Sequence, residues 1–283
     1  MTGPDQRRAT LSQLVSKGLS QRAACRWSGL SERLWHYQPR LPARDESLVR
    51  EMRAVTQQHP RFGYRRVAVL TRTGFHRVWR LWKQHGFQLQ PARARRPRTT
   101  TADPRPHRAE HPNHVWTYDF LHDQLADGRW FKTLSVLDEF TRECLVIQVG
   151  HSLRAPDVIA TLTSAMRLHG KPQYLRSDNG SEFTATAVMA WLQAQAVGPS
   201  FIPPGRPWQN GYIESFHDKF RDECLNREWF QSQPEAAVVI EQWRQQYNSH
   251  RPHSALGYKT PAQVRAEYPS TLTREALTSS ALN

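Results

Sequence analysis

Asp119, Asp178 and Glu214 are the side chains of this sequence whose types and settings can do chemistry together. Asp119 closes a predicted strand in Trp116-Thr-Tyr-Asp-Phe, and Asp178 ends another in Ser177-Asp-Asn-Gly-Ser-Glu-Phe. Glu214 falls on a predicted helix in Gln209-Asn-Gly-Tyr-Ile-Glu-Ser-Phe, with 35 residues between it and Asp178. That interval holds a helix, a strand and a loop, enough to bring the second helix back over the strand ends. Taken singly, each acid has a plainer reading, since Asp-Asn-Gly is a common turn and a lone helical Glu is usually solvated. Their order and spacing together favour a site. Two strand-end aspartates repel unless they are protonated or bridged by cations. Two Mg²⁺ ions about 3.5–4 Å apart can share one carboxylate and each take another, with one ion activating a water or 3′-hydroxyl and the other stabilising a leaving 3′-oxygen. Hard oxygen ligands select Mg²⁺ or Mn²⁺ over zinc.

The elements around these acids follow from periodicity. At about 100° per residue, Ile213, Phe216, Phe220 and Cys224 form one apolar stripe, with Glu214, Asp218 and Arg221 lined up beside it. Glu214 thus borders the core face, in reach of strand ends. Strands are predicted over 114–119, 130–139, 142–149, 173–177 and 200–202, with a tight turn at Glu139-Phe140-Thr141. Helices are predicted over 156–169, 185–195 and from about 209 to 225. Three strands, a helix, a strand, a helix, a strand and a helix make a mixed α/β domain. Of the competing carboxylates, Asp138 reads as serving the strand turn and Glu182 as capping the following helix. Further on, Ser232-x-x-Glu235 reads as a capping box and Thr260-Pro261 as a helix start.

The first third of the chain is different. Residues 1–110 carry 23 basic and 7 acidic side chains, a net of +16, whereas 111–283 carry 16 and 18, a net of −2. A contiguous cationic arm on a near-neutral body points to a polyanion such as nucleic acid. Within it, Ser20 caps a helix through Trp27, Gly29 turns the chain and Ser31 caps a second helix, as in a helix-turn-helix. Over 45–87, apolar residues at Leu48, Met52 and Val55, then Val67 and Leu70, then Val78, Leu81 and Trp82, mark three small helices. Pro91–Pro112 holds five prolines and six arginines and cannot bury a core, so it reads as an extended linker. Arg93, Arg95, Arg96 and Arg98 can follow a phosphate backbone there.

Cys25, Cys144 and Cys224 are scattered and odd in number, which excludes a disulfide framework and fits a reducing compartment. His111 and His114 have ligand-like spacing but no partner pair, so they read as loop residues and not a zinc site. No apolar run approaches the ~18–20 residues that cross a bilayer, and Met1–Arg8 lacks a signal core. A soluble, cytoplasmic protein with no membrane partner is expected.

With these motifs in place, the chain resembles the OrfB transposases of IS3-family insertion sequences, within the DDE transposase and retroviral-type integrase superfamily. The matching pieces include Leu137-Asp-Glu-Phe-Thr-Arg-Glu-Cys, Pro203-Pro-Gly-Arg-Pro-Trp-Gln-Asn-Gly-Tyr-Ile-Glu-Ser-Phe, Arg221-Asp-Glu-Cys-Leu-Asn and Tyr247-Asn-Ser-His-Arg-Pro-His-Ser-Ala-Leu-Gly-Tyr, besides the two aspartate motifs. The resemblance implies an RNase H-like core, a mixed five-stranded sheet with flanking helices, preceded by small helical DNA-binding units. It implies domains over 1–40 (helix-turn-helix-like), 45–90 (helical, DNA-binding), 91–112 (basic linker), 113–230 (integrase-type catalytic core) and 231–283 (helical extension). It also makes Asp119, Asp178 and Glu214 the DDE triad on two ions of Mg²⁺ or Mn²⁺, and places Arg221 near a bound DNA end. Lys219, Arg206, Asn210, Arg65, Arg66, Arg95 and Arg96 are assigned to DNA contact, with Arg251 and His253 as further candidates. Two departures stand out: His217 where related sequences often have Asn, and Ser181 where Pro is frequent, neither expected to touch the triad.

The implied reaction nicks a transposon end to free a 3′-hydroxyl, which then attacks a target phosphodiester or the element's other end. Implied partners are transposon-end and target DNA, an upstream OrfA product as fusion or partner, and further copies of the chain on DNA. The chain starts at Met1 without zipper heptads, so the expectation is the catalytic half alone. Two rivals stay open: a nuclease without strand transfer, and a non-catalytic DNA-binding regulator.

Overall fold

The structure is a computed structural model that describes residues 4–35, 40–89, 107–178, 180, 185–202 and 210–268. Arg95, Arg96, Glu182, Arg206 and most of the predicted linker lie outside the described residues. The chain forms two compact units, Met1–Gln57 and Gln58–Asn283. The segment read as one subdomain over 45–90 is therefore shared between them, and residues 58–89 group with the sheet.

In the first unit, α1 (Pro4–Ser16), α2 (Gln21–Ser28) and α3 (Glu32–Trp35) precede α4 (Arg40–Gln58). The Ser20 hydroxyl accepts from the Ala23 N–H, and Gly29 takes the left-handed conformation at φ 67° that ends α2. Leu11, Ala24, Cys25 and Leu30 form the small core, with Leu14, Val15 and Trp35 packed on it.

The second unit begins with α5 (Tyr64–Leu70) and α6 (Phe75–Gln84), whose Val67, Val78, Leu81 and Trp82 are buried. It continues with β1 (Val115–Gln124), β2 (Trp130–Asp138), β3 (Cys144–Gly150), α7 (Ala155–His169), β4 (Tyr174–Ser177), α8 (Thr186–Ala194), β5 (Gly198–Phe201), α9 (Gly211–Glu223), α10 (Gln233–Ser249) and α11 (Pro261–Ala266). The five strands form one sheet in the order β3-β2-β1-β4-β5. β1, β2 and β3 are antiparallel neighbours, while β4 and β5 run parallel to β1. This mixed five-stranded sheet with flanking helices is the RNase H-like arrangement expected.

The sheet has two buried faces. Trp116, Tyr118, Leu134, Val136 and Leu175 pack with Val158 and Leu162 of α7 and Val188 and Leu192 of α8. Phe131, Leu137, Ile147 and Val149 pack on the other face with Ile213, Phe216 and Phe220 of α9 and Ala236, Ile240 and Tyr247 of α10. Strand alternation accounts for the sorting, because successive residues of β1 point to opposite faces.

β1 is longer than the sequence suggested. It runs to Gln124 and pairs as far as Gln124 with Trp130, so Asp119 sits in mid-strand opposite Ser135 and does not close the strand. An Asp127-Gly128 turn makes the extension: Asp127 accepts from the Arg129 N–H, and Gly128 takes φ 85°. Asp138 is fully buried and accepts the N–H groups of Asn113, Phe140 and Thr141, the turn role expected of it. Ser232 caps α10 by accepting from the Glu235 N–H, but Glu235 reaches back to the Gln231 N–H, one residue beyond a regular capping box. Cys25, Cys144 and Cys224 are all free and buried.

Candidate active site

Strand phase aims Asp119. Thr117, Asp119 and Leu121 share the face of β1 that meets α9, opposite to Trp116 and Tyr118. Two contacts fix that approach. The Thr117 hydroxyl donates to Asn210 Oδ1 at 3.0 Å, both side chains buried, and Asn210 is the N-cap of α9. Two turns further along the helix, His217 Nδ1 lies 3.7 Å from Asp119 Oδ2. Between those two points on the helix stands Glu214.

The register of the sheet brings Asp178 to the same place. β1 pairs with β4 up to Thr117 opposite Arg176. Carried two residues on, the same register sets Asp178 opposite Asp119, just past the end of β4. There the Asp178 carboxylate accepts from the Gly180 N–H at 2.9 Å, while the Ser177 hydroxyl donates to the Asp178 carbonyl. Arg176 anchors this strand end from below: its guanidinium donates to both carboxylate oxygens of Glu139 at 2.8 Å, and each side chain is only 1% exposed.

The electrostatics register the convergence. Burial, followed by the charges of Asp178 and Glu214, pushes the Asp119 carboxyl up to about 7, against the opposing pull of the Phe120 N–H bond and of Lys132. Lys132 is itself buried, with its ammonium 3.7 Å from the centre of the Phe120 ring. Burial pushes His217 down to about 4, with Arg221 adding to the effect, so the imidazole is neutral at pH 7. Its contact with Asp119 is therefore not an ion pair, despite the opposite nominal charges. Its Nε2 is buried without a hydrogen-bond partner.

The donor set fits a hard divalent cation: three carboxylates, no sulfur, and like charges that raise the proton affinity of Asp119. Among the described residues, no three acid, histidine or cysteine side chains are already gathered in coordinating geometry.

The remaining sequence candidates have these positions. Arg221 donates to the His122 carbonyl at 3.0 Å, on the same flank as Glu214. Lys219 reaches only the Ser215 carbonyl, at 3.4 Å, and lies on another flank. Arg65 is exposed and donates to the Tyr64 hydroxyl, and Arg66 donates to the Pro252 carbonyl. Asn210 is buried, and its amide oxygen is taken by Thr117, which ties α9 to β1. His217 needs correction: it is expected clear of the triad and instead touches Asp119. Helical phase carried the signal, since residue 217 lies between the Ile213–Phe216–Phe220 stripe and Glu214.

Residues 109–207 match a family model described as integrase core domain, and residues 195–261 match a second model of that description. The chain is 41% identical over 262 residues to a 31.7 kDa protein of insertion element IS407 from Burkholderia multivorans, covering 89% of this chain and 93% of that one. It is 39% identical over 272 residues to a 39.2 kDa protein of insertion element IS476 from Xanthomonas euvesicatoria, covering 94% and 78%. Among solved structures it is similar to the catalytic core domain of HTLV-2 integrase in complex with magnesium, with a TM-score of 0.44 at 18% identity, covering 56% of this chain and 99% of that one. The extent of the insertion-element relatives and the two integrase-core matches agree with the motifs, and the chain belongs to the DDE transposases of insertion sequences, proteins of DNA transposition.

Proposed function

We propose that Asp119, Asp178 and Glu214 are the catalytic carboxylates of this transposase, holding two divalent ions, Mg²⁺ or Mn²⁺. The observation that carries the reading is the convergence on Asp119, a mid-sheet strand residue, of two further acids from a strand end and a helix, whose charges add to burial in pushing its carboxyl up. When bound, such ions activate the attacking oxygen and stabilise the leaving 3′-oxygen in an in-line displacement. In the first step a water oxygen bonds to phosphorus, the bond to the 3′-oxygen breaks, and a 3′-hydroxyl is freed at the element's end. In the second, that hydroxyl attacks a phosphodiester of the target or of the other end, and a second 3′-oxygen leaves.

The chain's own residues hold this geometry. Asn210 and Thr117 set the distance between helix and sheet. His217, neutral and packed against Asp119, limits that carboxylate's rotation. Arg176 and Glu139 fix the strand end before Asp178. Arg221, on the Glu214 flank, meets the DNA end, and Lys219, Arg206, Arg65, Arg66, Arg95 and Arg96 contact phosphates along its path. The chain acts in the cytoplasm, as an oligomer on DNA, with an OrfA-type product as fusion or partner supplying end recognition. Among the described residues no helix is long and apolar enough to cross a membrane.

A labelled duplex carrying the insertion-sequence end, incubated with the protein and Mg²⁺, tests the reaction. Free 3′-ends together with joined product are expected. Hydrolysis with no joined product at any time would identify a nuclease instead.

A further inference from the structure

A second cluster of charge lies on the other side of α9. Ser215 and Lys219 stand roughly 120° round the helix from Glu214 and line a cavity of about 320 Å³. Four separate parts of the chain bring cations to it: Arg66 of α5, Arg142 of the β2–β3 turn, Lys219 of α9, and Arg251 after α10, with His253 beside them. Among the described residues that line this cavity there is no carboxylate. Arg251 is paired with Glu223, through bonds of 2.7 and 2.6 Å, but that acid stands outside the lining. Among the described residues the other three cations have no carboxylate contact of that kind. Arg66 donates to the Pro252 carbonyl, Lys219 to the Ser215 carbonyl, and Arg142 lies over the Tyr212 ring at 3.6 Å.

Three features mark the cluster as built to receive something. Among the described residues, Arg142 Nη1 and His253 Nε2 are buried without hydrogen-bond partners, a state that folded proteins seldom leave unanswered. Arg142 is also held at φ 63°, a left-handed conformation that glycine or asparagine adopts more easily, so the position keeps arginine at the expense of backbone strain. Burial, with Arg251 next, pushes the Lys219 ammonium and the Arg66 guanidinium below their ordinary values, against the smaller opposing pull of Glu223 on both and of Asp218 on Lys219, so the cations crowd one another more than the nearby acids offset. An anion with several oxygens answers all three, and guanidinium forks with an ammonium match phosphate best.

We infer that this cavity seats a backbone phosphate of the bound DNA, distinct from the phosphodiester that reacts at the carboxylates. The inference rests on the DNA reading above and deepens it. Lys219 follows Glu214 by five residues, about 7.5 Å along the helix axis, so one strand can touch both flanks of α9. Arg142, Arg251 and His253 thereby join Arg66 and Lys219 in a single site.

The test measures binding of a fluorescein-labelled insertion-sequence-end duplex to the full chain across a NaCl series, in EDTA so that no cleavage intervenes. Arg142→Gln and Lys219→Gln should each weaken binding about tenfold and lower the slope of log K against log salt by about one. Arg129→Gln, at an exposed hairpin arginine paired with Asp127, should change neither. If Arg142→Gln melts below the wild-type temperature, Lys219→Gln alone decides. Wild-type affinity and slope in a normally melting variant overturn the inference. So does stabilisation by inorganic phosphate that Arg142→Gln abolishes while the DNA slope stays unchanged, for that would make it a free-anion site. Asp178→Asn keeps the two proposals apart, since it should abolish cleavage in Mg²⁺ and leave the salt slope intact.

Discussion

His217 stands one turn beyond Glu214 on α9 and brings its Nδ1 within 3.7 Å of Asp119 Oδ2, so the helix that carries one acid also braces another. Because burial keeps the imidazole neutral, the contact works by shape and dipole and not by charge. Replacing His217 with Asn, a smaller polar residue, should retain cleavage within about threefold. His217→Leu should lower the rate of nicking about 10–100-fold with little change in DNA affinity, the range seen when a residue that orients a metal-binding side chain is lost. An equal loss in affinity and rate, or no loss in either, would contradict a positioning role.

Asp119 makes stability depend on pH. Its folded value, about 7, lies above the ordinary carboxylate value, so the folded state holds this proton more tightly than the unfolded chain. The resulting stabilisation is full below about pH 4 and is lost as pH rises toward 7. Asp119→Asn removes that loss. In EDTA the variant should be more stable than wild type at pH 8, by up to about 4 kcal/mol, and indistinguishable near pH 4. Thermal melting at both values checks this, and no gain at pH 8 would contradict it.

The buried pair beneath Asp178 carries a larger cost. Glu139→Ala leaves the Arg176 guanidinium uncompensated in the interior and should cost about 3–5 kcal/mol in urea denaturation. A loss under about 1 kcal/mol would mean that the His107 carbonyl, which Arg176 also meets, suffices for it.

Asn210 is the tie between α9 and the sheet. Asn210→Ala strands the buried Thr117 hydroxyl and should destabilise by about 1–3 kcal/mol, with cleavage falling further than DNA binding. Loss of DNA affinity alone would place Asn210 at the DNA surface instead.

Much of this was legible in advance because it is local. The 3.6-residue phase of Ile213, Phe216 and Phe220 set the buried face of α9, and Ser20, Ser232 and Thr260 marked helix starts that the structure caps as expected. The end of β1 was misjudged because His122, Asp123 and Gln124 are polar, although the Asp127-Gly128 pair is a hairpin signal that extends both strands. The structural tie made by Asn210 was not legible for a different reason. Its motif setting suggested a ligand, and only the sheet, 93 residues away in sequence, shows what its amide oxygen holds. The Arg176–Glu139 pair and the cations around Arg142 are likewise contacts between distant segments, and spacing within one element does not encode them.

The central claim is that three acids from three elements work as one metal-dependent centre. Single-turnover nicking of a labelled insertion-sequence end in Mg²⁺ tests it most directly, comparing wild type with Asp119→Asn, Asp178→Asn and Glu214→Gln at matched DNA occupancy. Each variant should lose at least about a thousandfold in rate, about 4 kcal/mol of barrier, while still binding DNA. A variant of any one of the three that nicks at the wild-type rate would contradict the account.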